Sequence, residues 1–313
     1  MALNFIGTSD INSGIMKNSA SYIQRCEEIY HQRLAEAAEK IRVDADERPL
    51  VLLSGPSGSG KTTSAMRIAG LLRKQGLTVH TISMDNYFLP DGYGEMPLDD
   101  DGKVDLESPL RMDIPLFAEH MEKLFRREEV EIPRFDFKTQ SRTTGYTLKR
   151  EKNEIIIIEG IHALNPEVTG DTDDFTTCVY VSVRTRIRDD NGTVMHPRAI
   201  RLMRRLCRDK LFRGRSSADV FGMLRAVSRG EDLYIMPHKH RADLDIDTFL
   251  AYEPSVYCTA LIDELKSSPE LAEYSENYEA TVKILSQLSP LTYTDVPGDS
   301  LVREFIGGSS MEY

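Results

Sequence analysis

A chain of 313 residues, 40% hydrophobic and 28% charged, can bury a real core in one large domain with appendages or in two small ones. Its formal charge of −11 speaks against a general nucleic-acid binder, because neutralising phosphates takes a net basic surface. No apolar run reaches the ~18 residues of a membrane span, and the opening MALNFIGTSDINSG carries no secretory pattern, so the cytoplasm is the expected compartment.

In chain order, residues 1–17 read as polar and irregular. From Ser19 to Ile41 the apolar positions Ile23, Cys26, Ile29, Leu34, Ala37 and Ile41 recur at mostly helical spacing, which predicts an amphipathic helix. Pro49–Ser54 is a short buried strand, followed by a glycine-rich turn and a helix through Leu72. Thr78–Ser83 reads as a second strand. Leu89–Val104, rich in Asp, Gly and Pro, reads as a surface loop. Ile114–Leu124 is helical, and residues 130–150 alternate as a projecting β-hairpin. Glu154–Glu159 (EIIIIE) and Thr177–Val183 are buried strands, Pro197–Lys210 a basic helix, and Ala218–Val227 another helix. Leu244–Leu250 reads as a last strand before a helical, acidic remainder. The four cysteines, Cys26, Cys178, Cys207 and Cys258, are widely spaced, so no disulfide framework is expected, and the two inside apolar runs are expected to be buried and reduced. Alternating strands and helices give an α/β fold, a parallel sheet with helices on both faces. The expected units are an N-terminal helical extension (1–48), an α/β domain (49–254) and a C-terminal helical segment with a tail (255–313).

Gly55-Pro56-Ser57-Gly58-Ser59-Gly60-Lys61-Thr62 fits G-x-x-x-x-G-K-[ST] in full, between a strand and a helix as a P-loop requires. Glycines let successive N–H groups turn toward phosphate oxygens, and the helix N-terminus adds its positive end. Lys61 supplies a charge for the β and γ phosphates, and the Thr62 hydroxyl is placed to ligate Mg²⁺. Together with Thr63, these residues are expected to hold ATP.

Asp85 follows the second strand, at the carboxyl end where doubly wound sheets place their ligands. There a carboxylate can orient an acceptor hydroxyl and take its proton; a turn-capping Asp is the alternative. Glu159 closes the EIIIIE strand, where an acid partners Mg²⁺ or merely ends a strand. Arg201, Arg204, Arg205 and Arg208 recur at spacings of three and four, a stripe that either stabilises transferring charge or forms a solvated basic face. Arg213 and Arg215 flank Gly214 as a lid would. His238 and His240, without a His or Cys cluster, read as a surface loop.

The set GPSGSGKTT, SMDNYF, VDLESP, PRFDFKTQSR, IIIIEGIHALNP and RLMRRLCRDKLFRGR resembles the uridine kinase and phosphoribulokinase family, especially its bacterial uridine (nucleoside) kinase branch. The likeness runs from about Glu36 to Tyr257. It implies a P-loop kinase fold with an acceptor-binding hairpin and an arginine-bearing lid. It places Asp85 on the catalytic base, with Lys61 and Arg208 assisting, and Glu159 on the magnesium-associated acid. Asp105 falls where uridine kinases hold ribose hydroxyls, Arg205 and Arg208 on contacts to acceptor and phosphates, and Arg213 and Arg215 on the lid. Phe135, Asp136 and Phe137 fall on the acceptor hairpin, to which Gln140 and Arg142 also belong. Phe135 and Gln140 stand where uridine-cytidine kinases carry a Tyr and a His that read the pyrimidine, and phenylalanine cannot form hydrogen bonds.

The expectation is an ATP- and Mg²⁺-dependent phosphotransferase acting on a small-molecule hydroxyl, a nucleoside 5′-hydroxyl first. Neither nucleic acid nor membrane is expected as a partner, and a homo-oligomer is left open. The rivals are a kinase of the same fold for another polyol or sugar phosphate, and an ATP-dependent switch or assembly factor. The chain has no guanine-reading N-K-x-D.

Overall fold

In the computed structural model, which describes residues 4–90, 92–136, 139–275 and 277–311, the chain begins with a short strand β1 (Phe5–Gly7) and a long helix α1 (Thr8–Asp44). The irregular stretch expected over residues 1–17 is therefore corrected from Phe5 onward. Ile11 and Ile15, one turn apart, bury one side of the first helical segment. At Asn18 the backbone leaves the helix (φ −169°, ψ 101°), and the Asn18 side chain accepts from the Ser21 N–H at 2.9 Å. Asn18 thus caps a second segment, the one that periodicity had marked.

Next come β2 (Leu50–Ser54), α2 (Lys61–Lys74) and β3 (Thr78–Ser83), then α3 (Ile114–Phe125) and the antiparallel hairpin β4 (Glu129–Asp136) and β5 (Ser141–Lys149). The core continues with β6 (Glu154–Glu159), a short α4 (Pro166–Thr169) and β7 (Thr176–Ser182). Two small strands, β8 (Arg186–Arg188) and β9 (Val194–Met195), join β1 in a side sheet. The basic helix α5 (Pro197–Arg213) follows. The single helix expected over 218–227 is two, α6 (Ser217–Gly222) and α7 (Leu224–Gly230). The last strand, β10 (Leu244–Asp247), is shorter than expected: the Phe249 N–H donates to the Asp247 carboxylate at 3.0 Å, a local turn that ends it. α8 (Glu253–Ser267), α9 (Tyr278–Leu285) and α10 (Arg303–Ile306) complete the chain.

The central sheet has the order β10-β7-β2-β6-β3 with every pair parallel, an α/β fold. Alternate residues feed two cores: Val51, Leu53, Ile155 and Ile157 face α1, α2 and α5, while Leu50, Leu52, Ile156 and Ile158 face α3 and the hairpin. Burial on both faces explains the unbroken apolar runs of these strands. The first core takes residues from all three stretches expected as separate units, such as Leu34, Val51 and Phe305. All four cysteines are free and buried. Among the described residues no helix is long and apolar enough to cross a membrane. Because β2 has later strands on both sides, the crevice beyond its carboxyl end is the topological place for a ligand.

Candidate active site

That crevice is filled by the loop between β2 and α2. Gly58 and Gly60 hold positive φ (74° and 83°), a conformation open to glycine at little cost. A Cβ on Gly55 would come within 2.0 Å of the Val181 carbonyl oxygen, so the loop can leave β2 beside β7 only as glycine. Three successive loop carbonyls are tied from outside: Ser57 by Arg201 (3.3 Å), Gly58 by Arg204 (3.1 Å) and Ser59 by Thr248 (2.7 Å). With its carbonyls so anchored, the loop keeps a fixed curl at a helix N-terminus whose first N–H groups have no helical partner. Lys61 folds over the loop, its ammonium 3.4 Å from the Pro56 carbonyl.

Around Lys61 gather Glu159, Asp85 and Glu304. Burial draws the Lys61 ammonium down from its ordinary value, and those carboxylates hold it up. Glu159 ends β6 directly opposite Ser83 of β3. Burial pushes its carboxyl up to about 7, Asp85 adding to the rise while Lys61 and the Ser83 hydroxyl oppose it. Asp85 lies in the single turn Met84–Tyr87 after β3, where its N–H donates to Ser83 Oγ at 3.4 Å. Its side chain opens on the cleft, and the protein around it raises its carboxyl against the pull of Lys61 and Arg213.

The arginine stripe of α5 divides in two. Arg201 donates to both oxygens of Glu231 (2.8 and 2.7 Å), and Arg204 to Glu253. These two are buried braces of the loop and not charges facing a ligand. Arg205, Arg208 and Arg213 instead lie in electrostatic reach of Glu107, Lys61 and Asp85 respectively. Burial pushes Arg205 down to about 10, with Arg208 adding to the fall, while Asp209 and Glu107 support it.

A family model described as phosphoribulokinase / uridine kinase matches residues 50–251. The chain belongs to that family. It is 32% identical over 200 residues to a uridine kinase of Lactobacillus helveticus, covering 63% of this chain and 86% of the relative. A uridine kinase of Bacillus pumilus is 31% identical over 201 residues, with 64% and 86% covered. Among solved structures, a provisionally named fructose transport system kinase from Silicibacter matches 68% of this chain and 98% of its own, at TM-score 0.48 and 24% identity. The chain is thus an ATP-dependent kinase of the uridine kinase and phosphoribulokinase type, acting on a small-molecule acceptor.

The residues expected on the acceptor side have these places in the structure. Asp105 is buried and accepts from Arg229 and from the Tyr234 hydroxyl, both at 2.8 Å. Arg142 donates to Asp113 (2.9 Å) and to the carbonyls of Tyr87 (3.3 Å) and Phe88 (3.2 Å). The guanidinium thus fastens the hairpin to the turn after β3. Phe135 is buried with its ring 5.8 Å from Phe88, and its N–H donates to Asn86 at 3.3 Å. Gln140 occupies the hairpin turn in left-handed backbone (φ 48°). Phe137 lies outside the described residues.

Sequence reasoning missed four residues of this kinase. Asp209 is buried and gathers Arg208 (2.8 Å), Arg213 (3.4 Å) and Arg215 (3.2 Å). Burial works to raise its carboxyl, and Arg208 and Arg213 outweigh it. Glu107 faces Arg205 and Lys61, its carboxyl raised by burial. His162 is buried beside Tyr234, its imidazole pushed down to about 4 by burial. Glu304 reaches Thr63 from α10. Asp209 and His162 lie inside motifs already quoted, whereas no local pattern marks Glu304.

Proposed function

We propose that this kinase transfers the γ-phosphate of ATP to the 5′-hydroxyl of a nucleoside, uridine or cytidine first. The carrying observation is the convergence of Asp85, Glu159 and Lys61 at one end of the sheet, with each carboxylate in electrostatic reach of the P-loop ammonium. Asp85 accepts the proton of the acceptor hydroxyl as its oxygen attacks phosphorus. Lys61 neutralises the β and γ phosphates, held by the N–H groups of residues 55–63. Arg208, Arg213 and Arg215 stabilise charge on the phosphoryl group in flight, and Arg205 orients the acceptor.

The oxygen donors here fit Mg²⁺. Thr62 in the first turn of α2 and Glu159 at the end of β6 offer a hydroxyl and a carboxylate oxygen, which suits a cation that takes one or two protein oxygens and completes its shell with phosphates and water. Thr62 and Glu159 would hold it. When bound it neutralises charge on the phosphates.

A second reading, a kinase for another polyol, is favoured by the placement of Phe135 in the core and of Gln140 at the turn. The deciding experiment is labelled ATP with a panel of nucleosides, sugar phosphates and polyols. Uridine or cytidine should give the highest kcat/KM. Failure of every nucleoside would remove the first reading and leave the second.

A further inference from the structure

The family match stops at residue 251, yet the chain beyond it returns to the P-loop. Leu301 packs against the last loop glycine: a Cβ on Gly60 would lie 2.5 Å from Leu301 Cδ1. The Glu304 carboxylate accepts from the Thr63 hydroxyl. Arg303 makes the returning segment rigid by donating to the carbonyls of Tyr293 (2.9 Å), Val296 (2.6 Å), Pro297 (3.3 Å) and Gly307 (3.2 Å). Leu301, Val302 and Phe305 are fully buried beneath it.

Between this segment and the end of α5 lies a cavity of about 540 Å³ that opens beside Thr62, within the range of small-ligand sites. Its lining is mixed, with Arg208 and Arg213 beside the aromatic Phe212 and the glycines Gly307 and Gly308. Phe212 is 61% exposed, an aromatic ring at a cavity wall with little of its own surface covered. Positive φ at Gly307 (79°) lets the segment pass Phe212, whose Cζ would be 3.7 Å from a Cβ there. Among the described residues Glu304 is the one carboxylate lining the cavity. A carboxylate repels phosphate and accepts from hydroxyls, the bond it already makes with Thr63.

We propose that the segment Leu301–Met311 builds the nucleoside half of the phosphate-donor site, with Phe212 stacking on the base and Glu304 accepting from the ribose hydroxyls. This rests on the phosphotransfer reading above, which places the triphosphate on residues 55–63. The rest of a nucleotide so held leaves past Thr62, where the cavity opens. The stretch after residue 251 then sets which nucleotide donates.

The test is calorimetric titration of the full chain with ATP and with inorganic tripolyphosphate, alongside steady-state kinetics. Base–aromatic stacking by alanine substitution is worth enough that Phe212→Ala should weaken ATP about tenfold and leave tripolyphosphate unchanged. Ser309→Trp, which crowds the same cavity, should do likewise. Glu304→Gln should lessen the preference for ATP over its 2′,3′-dideoxy analogue. Thermal melts of each variant report folding. Unchanged ATP binding in both Phe212→Ala and Ser309→Trp would overturn the proposal, as would a rise in acceptor KM alone. Wild-type protein that binds neither probe would instead sink the phosphotransfer reading, and this inference with it.

Discussion

Arg204 and Glu253 form a pair in which neither side chain touches solvent, Nε to Oε2 at 2.9 Å and Nη2 to Oε1 at 2.8 Å. The same guanidinium holds the Gly58 carbonyl (3.1 Å) and lies 5.2 Å over the Phe305 ring. One buried charge therefore fixes the P-loop, α5, α8 and the C-terminal segment together. Removing its partner leaves the cation unpaired in the core, a loss of about 3–5 kcal/mol. Glu253→Gln should show that loss in denaturant unfolding, with weaker ATP binding. A midpoint shift equivalent to less than about 1 kcal/mol would show that the pair is not a brace.

Asp209 holds three arginines at once. Asn in its place keeps the shape and loses the charge that gathers Arg208, Arg213 and Arg215. Loss of a placed donor to a developing charge costs about a hundredfold in kcat, so Asp209→Asn should lower kcat about ten- to a hundredfold with a smaller change in acceptor KM. Turnover within about twofold of wild type would separate these arginines from the chemistry.

His162 sets an acid limit on stability. Its imidazole is held down to about 4, against an ordinary 6.5, by burial. Between those values the unfolded chain binds the proton and the folded chain resists it. The stability is therefore full above pH 6.5 and is lost as pH falls through 4. The shift corresponds to about 3 kcal/mol at pH 4. Comparing wild type with His162→Gln in unfolding experiments at pH 7 and pH 4, the variant should gain about that much relative to wild type. Parallel pH profiles would contradict the assignment.

How much was legible follows from where each signal lies. Thr78–Ser83 and Glu154–Glu159 were read to the residue because they are bounded apolar or alternating runs, and the P-loop because its chemistry is local. The start of α1 was missed because Gly14 and polar neighbours dilute the pattern. Gly14 is there to admit the Tyr22 ring, which a Cβ would meet at 2.3 Å. Spacing put Arg201, Arg204 and Arg208 on one face but could not tell which would find a buried acid, since Glu231 and Glu253 lie 30 and 49 residues downstream. Glu304 meets Thr63 across 241 residues, a distance at which sequence carries no local mark.

The central claim is that a hydroxyl loses its proton to Asp85 while the P-loop holds the donor. Asp85→Asn preserves size and removes the base. With the best acceptor from the panel, its kcat should fall by about 10²–10⁴ while ATP titrates with unchanged affinity. Near-normal turnover in Asp85→Asn would contradict the account.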